Sequence, residues 1–374
     1  MRREVIAAVV AGAFASPAMA QFKPVAGVEW NVYGRVYLTA ESVKSDGGTT
    51  PLSSRTRLSD NSSLLGVRAE KALGGDLKGW AQLETGFKAD DTSGGTTGGT
   101  NNFATRNSGV GLMGSFGNVF LGRWDTPFKV TQLLSVDPFG DTTIASPAGI
   151  TMRQLSFDVR ANNVLQYWSP TFSGFQARLA VTSNESKSDA AAVPGTAAGA
   201  NPRLYSGSLE WSGGPFYVSY AYEKHKDQIP VSTLSSTTVF SQGTDETGNG
   251  IAAKYTMGWA QITGQYGLYD RTGSDKQKSG MVNLVGTFGV HQGIASFRTS
   301  KDGGPTGTQQ PECNGYAFAY KYLFDRNFDF IAEYVEVKNK TGGLCDFGQN
   351  GVGAAAIAGG GTPKGMAAGL RYTF

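Results

Sequence analysis

The sequence predicts an all-β fold, a closed antiparallel barrel that crosses a membrane with its strands. Three observations carry this. The chain ends on "KGMAAGLRYTF", where Met366, Ala368, Leu370, Tyr372 and Phe374 fall on one side and Ala367, Gly369, Arg371 and Thr373 on the other. A period of two marks a strand whose faces meet different surroundings. Comparable alternating segments recur along the chain, and no run of 18 apolar residues follows the first twenty residues, which excludes helical spans. A barrel that is apolar outside and polar inside is the architecture left.

The chain opens on "MRREVIAAVVAGAFASPAMA", with Arg2 and Arg3 as a basic head, Val5 to Ala15 as an apolar core and Ala18-Met19-Ala20 as a small-x-small cleavage site. This predicts residues 1–20 as a secretory signal peptide, too short in its apolar core to span a bilayer, and residues 21–374 as the barrel. Without Arg2, Arg3 and Glu4 the net charge falls from +3 to +2, too small an excess to point to nucleic acid. The 52 glycines, 21 phenylalanines and 15 tyrosines, with a mean hydropathy of −0.24, are unusual for a soluble domain.

"WNVYGRVYLTA" sets Val32, Gly34, Val36 and Leu38 against Asn31, Tyr33, Arg35, Tyr37 and Thr39. "LKGWAQLETGFK" sets Leu77, Gly79, Ala81, Leu83 and Phe87 against Lys78, Trp80, Gln82, Glu84 and Lys88. "FYVSYAYE" and "GYAFAYKYLF" each gather their aromatics on one face. Tight turns fall at "LGGD", "SFGN", "SPTFSG", "SGGP", Gly258, "FGV" and "LFDRN", which have the Gly, Asn and Pro chemistry of hairpins. Polar stretches such as "ADDTSGGTTGGTNN", "SNESKSDAAAVPGTAAGANP", "KDGGPTGTQQPE" and "CDFGQNGVGAAAIAGGGTPK" read as solvated loops. Seven turns alternating with eight long connections give 16 strands. The last strand must then pair with the first, because only closure removes the free edges. Tyr372 and Phe374 would stand in an aromatic girdle and Arg371 would face the interior.

"RLSDNSSLLGVRAEKALGGDLKGWAQLETGF", "RNSGVGLMGSFGNVFLGRWDTPFK" and "RANNVLQYWSPTFSGFQARLAV" resemble the general porins of Gram-negative bacteria, especially the β-proteobacterial branch. With the signal peptide and Phe374, the resemblance covers nearly the whole chain. It implies a 16-stranded homotrimeric barrel in the outer membrane that lets ions and small polar solutes diffuse through a water-filled hole. It implies that the third external link folds inward as a constriction loop. It also implies that Phe374 is an assembly signal read by the barrel-assembly machinery. Membrane lipid and lipopolysaccharide are the other implied partners; no cofactor, metal or nucleic acid is implied.

The link from Asp125 to Val159 suits that inward loop, since Phe128, Val130, Leu133, Leu134, Phe139 and Ile144 need a surface to pack on. Its Asp125, Asp137 and Asp141 are the acidic candidates for the constriction. Alternation points Arg35, Arg68, Lys78, Lys88, Arg178, Arg298, Lys321 and Arg371 inward, with Glu70, Glu84, Glu210 and Glu223, and also Arg123 together with Val119 and Leu121. Matching to the family adds Arg106 and Arg160 to the basic cluster. Leu64 stands where many relatives carry arginine, so the cluster lacks one expected charge unless Arg55, Arg57 or Arg68 reaches in. Fixed lumenal charges of this kind tune which ions enter.

Cys313 and Cys345 are the only cysteines. In an oxidising compartment they are expected to pair, a cross-link worth about 3–4 kcal/mol in the chain-entropy model. Enzyme signatures are missing: His225 and His291 belong to no catalytic arrangement, and "GGTTGGT" lacks the lysine of a phosphate loop. Two further readings stay open, a channel selective for one solute class such as anions and a structural or adhesin barrel.

Overall fold

The computed structural model describes residues 25–90, 103–152, 157–185, 187, 199–227, 243–301, 303–304 and 312–374. The expected signal peptide and most of three of the quoted loops lie outside them. The strands are β1 (Val28–Asp46), β2 (Leu52–Asp60), β3 (Leu64–Gly74), β4 (Leu77–Gly86), β5 (Ser108–Gly114), β6 (Gly117–Asp125), β7 (Arg160–Trp168), β8 (Phe175–Thr182) and β9 (Arg203–Gly213). They continue as β10 (Phe216–Lys226), β11 (Glu246–Met257), β12 (Ala260–Arg271), β13 (Gln277–Phe288), β14 (His291–Lys301), β15 (Glu312–Leu323), β16 (Phe328–Asn339) and β17 (Thr362–Thr373). Each pairs antiparallel with its neighbours in one closed sheet.

Seventeen segments make 16 staves. β2 and β3 both pair with β1, opposite Leu38–Ser45 and Val28–Arg35 respectively, so they are one stave broken at residues 61–63. The break sits where Ser62 takes a positive φ of 60°.

Closure occurs between the first and last strands. β1 pairs with β17 from Arg35↔Thr373 to Asp46↔Thr362, and Gly34 exchanges both main-chain hydrogen bonds with Phe374. Two glycines permit the seam. A Cβ on Gly34 would lie 2.7 Å from both the Phe374 ring and the Leu64 carbonyl, and one on Gly369 would meet the Leu38 carbonyl at 1.9 Å. Around the turn end of the barrel the outward aromatics touch one another: Phe216 with Tyr255, Trp259 with Phe288, Phe324 with Phe328, Tyr372 with Phe374. Phe374 therefore stands in the expected girdle.

Three readings of the sequence need correction. Among the described residues, two connections at the loop end are short: 47–51 and 272–276 each hold five residues between their strands. The row of Val119 and Leu121 is the outward one, exposed on the barrel's apolar face, while Phe120 and Trp124 are buried inside. A positive φ of 156° at Gly122 and a register shift between Gly122 and Trp124 disturb β6, yet Phe120 and Trp124 stay on one side. Third, "CDFGQNGVGAAAIAGGGTPK" is not a solvated loop, since Cys345, Phe347, Val352, Ala356 and Ile357 are buried in an apolar cluster with Val43, Ile144 and Val335. A few well-spaced apolar side chains bury this Gly-rich segment, a pattern that composition hides.

The segment between β6 and β7 packs on the inner wall. Phe128, Leu133, Phe139 and Ile144 are buried as its composition requires, whereas Leu134 is exposed. Inward side chains of successive strands hold its backbone. Ser206 Oγ of β9 accepts from Phe128 N at 3.1 Å, Thr263 Oγ1 of β12 donates to Val136 O at 2.7 Å, and Asn283 Nδ2 of β13 donates to the same carbonyl at 3.1 Å. The link crosses to the β1 side, where Thr143 N donates to Asn61 Oδ1 at 2.7 Å, then returns to β13, where Ser279 Oγ donates to Thr151 O at 2.7 Å.

Candidate functional site

The site is built where this inward link meets the wall. On β1, Arg35 stands in the inward row with Tyr33 and Tyr37. Its Nη2 lies 2.8 Å from Asp141 Oδ2, and its Nε donates to Ser62 O at 3.0 Å. Asp141 takes a left-handed φ of 66° beside Gly140 at the same value, a sharp bend that turns the carboxylate toward β1. Such a conformation is unusual for a residue with a Cβ and persists only where its surroundings hold it.

On the staves from β2 to β8 four further arginines each find an acid. Arg57 Nε is 2.6 Å from Glu41, Arg68 Nε 2.8 Å from Glu70, Arg106 Nε 2.8 Å from Glu84 and Arg178 Nη2 2.7 Å from Glu210. Alternation explains much of this: Arg68 and Glu70 are two residues apart on one strand, and Arg178 and Glu210 are diagonal neighbours on adjacent strands. Arg57 is the residue that reaches in, while Leu64 sits opposite Arg35 on the neighbouring stave. Arg68 and Arg178 also lie over the rings of Trp80 and Trp168, at 4.3 and 4.9 Å. Those rings border a buried inward cluster with Phe120 and Trp124.

The acidic candidates do not form one set. Asp141 faces Arg35 as described. Asp125 ends β6, buried, with Lys129 Nζ at 3.0 Å and Arg160 Nη2 at 3.2 Å. Asn107 completes that cluster, donating from Nδ2 to Asp125 Oδ2 at 2.9 Å and accepting from Arg160 Nε at 2.8 Å. Lys129 also reaches Asp158 at 2.7 Å. Asp125 is therefore a fastening at the foot of the link. Asp137 accepts from Phe139 N at 2.8 Å and shapes the link's own backbone.

Arg123 is the basic candidate that the structure removes from the lumen. It shares the outward row, and its guanidinium donates to Thr105 O at 2.9 Å and to Asn162 Oδ1. Lys129, Asn107 and Lys254 were not singled out in the sequence. The four-residue spacing of Asp125 and Lys129 is a helical pairing that signals the first. Cys313 of β15 and Cys345 have Cα atoms 6.2 Å apart with their sulfurs in contact.

The interior is thus a polar hole with paired charges on its wall and a folded link across it, surrounded by an apolar outer face. Comparison with known proteins agrees with that geometry. A family model described as Gram-negative porin matches residues 7–342. Outer membrane porin protein 32 of Delftia acidovorans is 26% identical over 323 residues, covering 84% of this chain and 85% of that protein. A solved anion-selective porin from Comamonas acidovorans is 25% identical, with a TM-score of 0.74 over 93% of this chain and all of that one. The outer membrane protein OmpT of Vibrio cholerae in its trimer form shares the fold at 16% identity, with a TM-score of 0.65 over 93% of this chain and 100% of that one.

Proposed function

The chain belongs to the Gram-negative porin family, and from that premise we propose how its interior works as an outer-membrane channel for passive diffusion of ions and small hydrophilic solutes. Porins are channels and not enzymes, so the function lies in the width and field of the hole. The observation that carries the reading is the closed barrel whose inward rows hold Arg35, Arg68, Arg106 and Arg178 while its outward rows are apolar.

In this reading the segment 126–159 is the constriction loop. Its Asp141 faces Arg35 across the narrowest part, with Arg106 and Arg160 on the adjoining wall. Asp125 and Asp137 shape the loop and contribute less to the field. Low-dielectric walls focus such fields, so a few charges count for more than the net charge. Cys313 and Cys345 form a disulfide, residues 1–20 are removed on export, and Phe374 serves as the signal to the barrel-assembly machinery as well as in the girdle.

The channel assembles as a homotrimer, as the Vibrio protein of the same fold does in its trimer form. Small outward residues on the first staves, Gly34, Ala40, Gly79 and Ala81, permit close approach of a second wall. The staves from β9 to β16 carry outward aromatics such as Tyr220, Tyr266, Phe297 and Phe318, suited to lipid and lipopolysaccharide. Purified protein in planar bilayers under a KCl gradient tests the channel. Ohmic conductance that does not saturate with salt or solute is expected. No conductance from folded protein overturns the reading, and saturable conductance replaces it with a solute-binding channel.

A further inference from the structure

The link between β16 and β17, residues 340–361, is the second segment that folds inward. Its root is mounted on the wall. Cys345 lies beside Cys313, and Asn339 at the end of β16 clasps the same residue, accepting from Cys345 N at 2.9 Å and donating to Cys345 O at 3.0 Å. Asp346 then gathers the main-chain N–H groups of Phe347 at 2.8 Å, Val352 at 2.9 Å and Gly353 at 3.1 Å, which closes residues 346–353 into a compact loop. Burial pushes the Asp346 carboxyl above its ordinary range. Phe347 anchors the loop by packing with Ile144 and Val43 between the constriction loop and the wall.

The tip of this loop lies on the Arg35–Asp141 pair. Gln349 donates from its main-chain N to Thr143 O at 2.9 Å and from Nε2 to Asp141 O at 2.9 Å, while its Oε1 accepts from Ser62 Oγ at 2.9 Å. Ser62 O in turn accepts from Arg35 Nε at 3.0 Å. One side chain therefore ties the residue that orients Arg35 to the residue that carries its acid. Arg57 secures the same tip, donating from Nη1 to Gly351 O at 3.2 Å while paired to Glu41. Asp141 holds a left-handed conformation, and the carbonyl that Gln349 grips is its own.

We propose that residues 345–353 are a second constriction segment and that Gln349 is a positioning residue for selectivity, acting through Asp141. This rests on the channel reading above. The family's inward third link supplies the acid; the last link sets where that acid sits relative to Arg35. The cysteine pair fixes the root so that the tip stays at one depth in the lumen.

The test is a cycle read by reversal potential in planar bilayers, with wild type, Gln349→Ala, Asp141→Asn and the double variant. Gln349→Ala is expected to shift the reversal potential, and the double variant to match Asp141→Asn alone. An unchanged reversal potential in Gln349→Ala overturns the proposal, and so does a shift that simply adds to that of Asp141→Asn. A Cys313→Ala/Cys345→Ala variant is expected to show higher single-channel conductance and more open-channel noise. If that variant fails to fold, the cycle still decides, because Gln349→Ala leaves the cysteines in place. Silent wild-type protein would sink the channel reading instead, so the two failures are distinguishable.

Discussion

Cations on two sides of the barrel are used differently. On the staves from β1 to β8, Arg57, Arg68, Arg106 and Arg178 each meet a carboxylate within 2.6–2.8 Å. On β11, β14 and β15, three inward cations meet main-chain carbonyls of the inward link between β6 and β7. Lys254 Nζ donates to Ser135 O at 3.3 Å, Lys321 Nζ to Pro138 O at 2.9 Å and Arg298 Nη2 to Ala145 O. The first group is held in ion pairs on the wall, where the proposed field would arise; the second holds the inward link. Carbonyls of an irregular segment have no sheet partner, and a buried carbonyl left without a donor is costly. A long cationic side chain from the wall can reach one without changing the loop's backbone.

The comparison predicts its largest effect at Arg298. This side chain is buried, lies 4.9 Å over the Phe139 ring, and reaches the return limb of the loop. Arg298→Met removes a charge-assisted hydrogen bond, a loss of about 1.5–3 kcal/mol, and frees Ala145 O. We expect a lower unfolding temperature in detergent and a noisier, larger conductance. Unaltered conductance would mean that the loop holds itself. Lys321→Met is expected to act in the same direction but more weakly, because Arg298 adds a ring contact with Phe139 to its carbonyl bond. Proteolysis within the inward link, compared between the two variants, would rank them.

Much of this was legible in the sequence, for a physical reason. Alternation is a one-dimensional signal, so the inward placement of Arg35, Arg68 and Arg178, the seam at Phe374 and the seven tight turns could all be read. Arg123 was misplaced because the phase of β6 is ambiguous: Phe120 and Trp124 are as apolar as Val119 and Leu121, and only packing decides which row faces lipid. The partners of the loop were not legible. Which carbonyl Lys321 or Arg298 reaches depends on a path through three dimensions that has no period. The last link was misread for the same reason, since Asp346 and Asn339 organise it through contacts that composition does not record.

Field-making pairs should respond in the opposite way, through selectivity with little change in stability. Arg35→Gln is expected to shift the reversal potential toward cations while leaving the unfolding temperature nearly unchanged, because the pair is partly solvated and such pairs contribute about 0–1 kcal/mol. Asp141→Asn is expected to shift it toward anions. A large stability loss in either would move this pair to the loop-holding group.

Arg178→Gln is the mildest case. Its guanidinium lies over Trp168, is bonded to Gln176 at 2.8 Å and faces Glu210, which also accepts from Tyr217 at 3.0 Å. Loss of the arginine leaves Glu210 with the tyrosine as a donor, so stability should fall by less than in Arg298→Met, where the loop carbonyl loses its donor. Arg178 sits on β8 between Trp168 and Ser208, away from the loop's tip, so its charge adds to the field only at a distance. A small cation-ward shift, less than that of Arg35→Gln, is therefore expected under the same KCl gradient. If the shift instead matches that of Arg35→Gln, the field is spread along the whole wall and the Arg35–Asp141 pair has no special place in it.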